Sequence, residues 1–90
     1  MAQAVVDPEE LRQFAGMLRK FNNELRDRMN ALNNHMSALG STWRDQEQRR
    51  FAEQFEENMR TMAKFTDIAD RHVPYLLRKA EQIEEYLNTR

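Results

Sequence analysis

Two long polar segments, each striped with apolar residues every three or four positions, meet at one short break near the middle of the chain. That spacing marks amphipathic helices rather than strands. The break is Leu39-Gly40-Ser41-Thr42-Trp43-Arg44-Asp45, which holds the only Trp and one of the two Gly among the 90 residues. Gly40 suits the left-handed conformation that closes a helix. Ser41, Thr42 and Asp45 each suit the cap of the next one. The chain is therefore predicted to be all-α, an antiparallel two-helix hairpin forming one domain across 1–90, with helices over about 8–39 and 45–88 and a turn over about 40–44.

Asp7-Pro8-Glu9-Glu10 announces the first helix. Asp7 can cap free amides, Pro8 fits the first helical position, and Glu10 can complete a capping box. The stripe that follows is Leu11, Phe14, Leu18, Phe21, Leu25, Met29, Leu32, Met36 and Leu39. Its three–four alternation slips once, around Leu25. A strict heptad from its start would bring Arg28 and His35 inward, so the slip argues against one regular coiled coil. Gly16, beside Phe14 and Met17, is expected to permit close packing at a cost of ~1 kcal/mol against Ala.

The second helix starts at Thr42 or Asp45, both of which have cap spacing. Its stripe runs Phe51, Phe55, Met59, Met62, Phe65, Ala69, His72 or Val73, Leu76, Ala80, Ile83 and Leu87. Pro74 cannot donate to the carbonyl of Asp70. It either kinks one long helix or starts a third; the apolar phase carried from Phe65 to Ile83 favours the kink. Acid-first pairs such as Glu24 with Arg28 and Asp67 with Arg71 each add ~0.3 kcal/mol to an exposed helix.

A lone hairpin leaves one side of each stripe in water. Five Phe, six Met and a Trp are too much apolar surface for that, and large exposed patches mark partner contacts. A second hairpin packed on the first, giving a four-helix bundle, is the economical solution. Phe14, Phe21, Met29, Phe55, Met59, Met62 and Phe65 are the expected dimer or partner surface.

Other chemistries find little support. The net charge of -1 gives no general pull towards nucleic acid, and Arg49-Arg50 is too short to be its footprint. The absence of Cys excludes disulfide and thiolate chemistry. No apolar run approaches the ~20 residues of a membrane span. The N-terminus shows none of the basic and apolar regions of a signal peptide. His35 and His72 sit on different helices outside any metal-ligand spacing, so no metal and no cofactor is expected. The Met residues read as adaptable core filling, and Trp43 as a buried anchor where the helices meet. Asn23, Asn30 and Asn34 share a solvated face with Asp27. No catalytic constellation is present.

A hairpin of this length with a central Trp turn resembles the WXG family of small, ESAT-like type VII secretion substrates. The residues that carry the resemblance are Leu39, Gly40, Trp43 and Asp45 in the turn and Phe51 eight residues past the Trp. The family pattern is Trp-x-Gly; here it is Trp43-Arg44-Asp45, where Asp45 caps the second helix. The resemblance implies bacterial, non-enzymatic hairpins that dimerise with themselves or a sister chain. It also implies export in the folded state through a machine driven by an FtsK/SpoIIIE-type ATPase. The family's export signal is a C-terminal Tyr with an acid four residues on, whereas Tyr86 is followed at that distance by Arg90. An intracellular adaptor that shields the helical targeting domain of a larger toxin is the alternative reading. A small helical enzyme ranks well behind both.

Overall fold

The computed structural model describes residues 6–88. Two helices, α1 over Pro8–Leu39 and α2 over Gln46–Asn88, fold back on each other through a short turn. The result is a rod with principal extents of 68 × 23 × 16 Å.

Local chemistry sets the ends. The Asp7 carboxylate accepts from the backbone amide of Glu9 at 2.9 Å, Pro8 opens the helix, and Glu9 and Glu10 lie in its positive first turn. Asp45, rather than Thr42, caps α2: its Oδ1 accepts from the Gln48 amide at 2.9 Å. The hydroxyls of Ser41 and Thr42 instead donate backwards, to the carbonyls of Ala38 and Leu39.

Gly40 departs from expectation. It is right-handed, with φ -64° and ψ -14°, and no described residue has positive φ. α1 tightens into three-residue bonds instead, with amide-to-carbonyl distances of 3.2 Å for Gly40 to Ser37 and 3.1 Å for Ser41 to Ala38. Arg44 reaches back to the carbonyls of Gly40 and Ser41 at 3.3 and 3.0 Å, satisfying end groups that a left-handed cap would otherwise serve. What favours glycine here is space, since a Cβ would meet the Ser37 carbonyl oxygen at 3.3 Å. Gly16 also differs from its expected role: a Cβ there would find nothing within 4 Å.

α2 runs unbroken through Pro74, so no third helix begins there. The seam between the helices holds the larger surprise. The buried residues of α1 are Ala15, Asn22 and Met29; those of α2 are Met59, Thr66, Ala69, Val73 and Ala80. Ala15, Asn22 and Met29 are seven apart, and so are Met59, Thr66, Val73 and Ala80. With Leu11, Leu18, Leu25 and Leu32 between them, the α1 seam keeps a regular three–four alternation. The apparent slip around Leu25 arose from taking Phe14 and Phe21 as core positions. Their neighbours Ala15 and Asn22 occupy the seam, Thr66 takes the place offered to Phe65, and of the pair His72 or Val73 it is Val73 that faces inward. Small side chains let the helix axes approach to the ~8–10 Å of ordinary helix packing; a Phe at those layers would hold them apart.

Candidate functional site

The residues displaced from the seam define the surface. Phe14, Phe21 and Arg28 each precede a buried α1 residue, and Asn58, Phe65, His72 and Lys79 precede buried α2 residues. In an antiparallel pair these two rows lie on the same side. The contact that proves it is Phe21 against Phe65, edge to face across the helices with ring centroids 6.5 Å apart. Phe14, Phe21 and Phe65 are 55%, 52% and 51% exposed. Towards the turn the aromatic row continues as Phe55 stacked on Phe51 at 6.0 Å and Phe51 under Trp43 at 5.7 Å. Met17, Ile68 and Tyr75, also exposed, lie farther round on the same side.

The opposite side is polar and is where the helices are stitched together. Arg12 binds both carboxylate oxygens of Glu84. Arg26 donates to Asp70 at 2.5 Å and reaches Asp67 at 3.5 Å. Inside the seam, the Asn22 amide donates to Asp70 Oδ1 at 2.9 Å and to the Thr66 carbonyl at 3.5 Å. Asn22 Oδ1 is buried without a hydrogen-bond donor. The Asn22 bond, then Arg26, holds the Asp70 carboxyl below its ordinary range. The reciprocal bonds to Asp70 and Glu84 raise the guanidinium groups of Arg26 and Arg12. These pairs are largely solvent-exposed and contribute modestly to stability; they fix how the two helices face each other.

The expected site residues therefore separate. Phe14, Phe21 and Phe65 come together on one outer side, with Phe55 and Met62 half-buried. Met29 and Met59, expected on a partner surface, are 9% and 8% exposed and fill the hairpin's own seam. Trp43, expected as a buried anchor, is only partly covered and leans on Phe51. Tyr86 is exposed near the end of α2; Arg90 lies outside the described residues, as does the tail before Val6. His35 and His72 are both exposed. Among the described residues, no group of three His, Cys, Asp or Glu is placed to hold a metal ion. Asn22 was missed by sequence reasoning, and the signal that reveals it is the unbroken heptad obtained when Ala15 starts the count.

With this geometry in view, the comparisons with known proteins are direct. Residues 3–86 match the model of the WXG100 family, described as proteins of 100 residues with WXG. The chain belongs to the WXG100 family. Two crystal structures of the secreted protein EsxB from Bacillus anthracis str. Sterne are similar to it. A point mutant superposes with a TM-score of 0.76 at 26% identity, and the wild type with 0.77 at 25%. Each alignment covers 92% of this chain and 89% of EsxB. Curated protein sequences give no match. The chain departs from the family's name at Asp45, which stands where the glycine would. The Asp45 cap at the start of α2 supplies a physical role for that residue.

Proposed function

We propose that this chain is a non-enzymatic substrate of a type VII-like secretion system. It is exported folded, paired with a second copy or a sister hairpin. The observation that carries the reading is the row of half-exposed rings, Phe14, Phe21 and Phe65, along one side of a WXG100 hairpin. Family membership and the similarity to a secreted protein supply the export half of the proposal. The partner would lie on that row, extending the two-helix layer into a four-helix bundle, with Phe55 and Met62 at its edge. Among the described residues no helix is long and apolar enough to cross a membrane, so passage would depend on a machine such as an FtsK/SpoIIIE-type ATPase. Tyr86 marks the C-terminal region such a machine would read, with Arg90 in place of the usual acid.

Assembly and export are tested separately. Light scattering on the purified chain is expected to give twice the monomer mass, or the mass of a mixed pair when a sister chain is co-expressed. Phe21→Glu with Phe65→Glu is expected to give a helical monomer. A wild-type chain that stays monomeric at high concentration, with or without a sister, would remove the bundle. For export, culture supernatant and cell pellet are immunoblotted with and without the ATPase, using a cytoplasmic protein as lysis control. Supernatant protein that vanishes with the ATPase supports the proposal. Protein confined to the pellet favours the intracellular adaptor.

A further inference from the structure

The hairpin is unevenly packed along its length. Every buried side chain among the described residues lies in 15–29 or 59–80; none lies between 30 and 58. In that turn-proximal stretch Leu32 and Leu39 remain 49% and 44% exposed. The cause is in the sequence. Ala52 holds a seam position facing the end of α1, where Asn33 and Ser37 line the gap beside Met36, so the helices meet without filling the space between them. A groove of about 390 Å³ opens there, floored by Met36, Ala52 and Phe55 and rimmed by Asn33, Glu53 and Glu56.

Asn33 and Glu56 stand four residues after the seam positions Met29 and Ala52, as Arg26 and Asp70 stand four after Asn22 and Thr66. The groove therefore opens on the polar side, away from the Phe21–Phe65 pair, and Phe55, at the edge of the bundle interface, is the lining residue that the two surfaces share. Glu53 and Glu56 form no ion pair among the described residues. The cations within one turn on α2, Arg49 and Arg50 before Glu53 and Arg60 after Glu56, form no ion pair with them. Two unpaired carboxylates beside an apolar floor select a ligand of opposite charge with an apolar centre.

We propose that this groove is a second docking site, on the side opposite the Phe21–Phe65 pair, for a helical segment of another protein that presents an apolar side chain flanked by Lys or Arg. The apolar side chain would enter between Met36, Ala52 and Phe55, covering surface the hairpin leaves wet. The flanking cations would meet Glu53 and Glu56. The acidic rim selects the sign of the partner's charge.

The test uses the full chain, isotope-labelled, and a short blocked helical peptide carrying one Leu with Lys one turn to either side. Amide shifts are expected at Asn33, Ala52, Phe55 and Glu56, with the residues around Phe21 and Phe65 unmoved. Replacing Lys by Glu in the peptide, or introducing Glu53→Gln with Glu56→Gln in the protein, should weaken binding roughly tenfold. Both glutamates are exposed, so the variant should keep its melting curve, which is measured in parallel. Three results would overturn the proposal: no shifts at millimolar peptide, shifts centred on the Phe21–Phe65 row, or equal binding of the Glu peptide.

Discussion

Asn22→Leu is expected to stabilise the hairpin. Asn22 is fully buried, its Oδ1 has no donor, and its amide donates to Asp70 at 2.9 Å. Burying an unsatisfied oxygen costs about 1–3 kcal/mol, and Leu removes that cost. Leu reproduces the branched four-atom skeleton of Asn and adds about 1.5–3 kcal/mol of apolar burial. Against this stands the lost bond to a charged acceptor, worth about 1.5–3 kcal/mol. Asp70 keeps Arg26, and its side chain is 40% exposed, so water replaces the missing donor. The balance is a gain of about 1–3 kcal/mol, as when buried polar groups are replaced by apolar ones of similar shape. At ~4–8 °C per kcal/mol for a chain of this size, thermal melts resolve it easily. Protein concentration must be held fixed, because self-association shifts the midpoint. A variant less stable by 1 kcal/mol or more would refute the reasoning, showing that the Asn22–Asp70 bond outweighs the orphaned oxygen. The gain carries an expected penalty in uniqueness. A lone Asn at a heptad core position specifies register, so the Leu variant should show broader or duplicated amide signals near the seam.

Three further outcomes follow from the same geometry. Gly16→Ala should raise stability by ~1 kcal/mol, because the site is inside a helix with open space around the new methyl, and chemical denaturation would show it. Trp43→Ala should cost about 1–2 kcal/mol, below the ~3–5 kcal/mol of a fully buried ring, since Trp43 is only partly covered; a larger loss would mean the ring is sealed by a partner. Asp70 contributes a pH dependence. Its folded pKa is depressed, so its stabilisation is present above the unfolded value of ~3.9 and disappears as pH falls through the folded one. The wild type should lose melting temperature more steeply than Asp70→Asn on acidification below about pH 5, and parallel curves would contradict this.

The turn shows how far local reading reaches. Asp45 is legible as one of two candidate caps, with Thr42, because a carboxylate can accept a free amide from its own chain, and the structure chooses it. Gly40 was misjudged because tail carbonyls can be satisfied in two ways, and Arg44, reaching back over the turn, selects the tighter one. Trp43 was misplaced because how deeply a ring is buried depends on the separation of two helices, which no local pattern states.

Helices, hairpin and apolar excess were determined by the sequence alone. Periodicity, caps and the single mid-chain break act within a few residues of one another, and a short connection leaves antiparallel packing as the direct solution. Only the tertiary structure decided which apolar residues face inward. A helix repeats every ~3.6 residues, so two adjacent residues at each turn are both plausible core positions. The choice falls to whatever permits close approach of the axes. Ala15, Asn22, Thr66 and Val73 fit between them, and Phe14, Phe21 and Phe65 do not. The same steric selection that closes the seam turns the large rings outward and creates the face on which a partner can act.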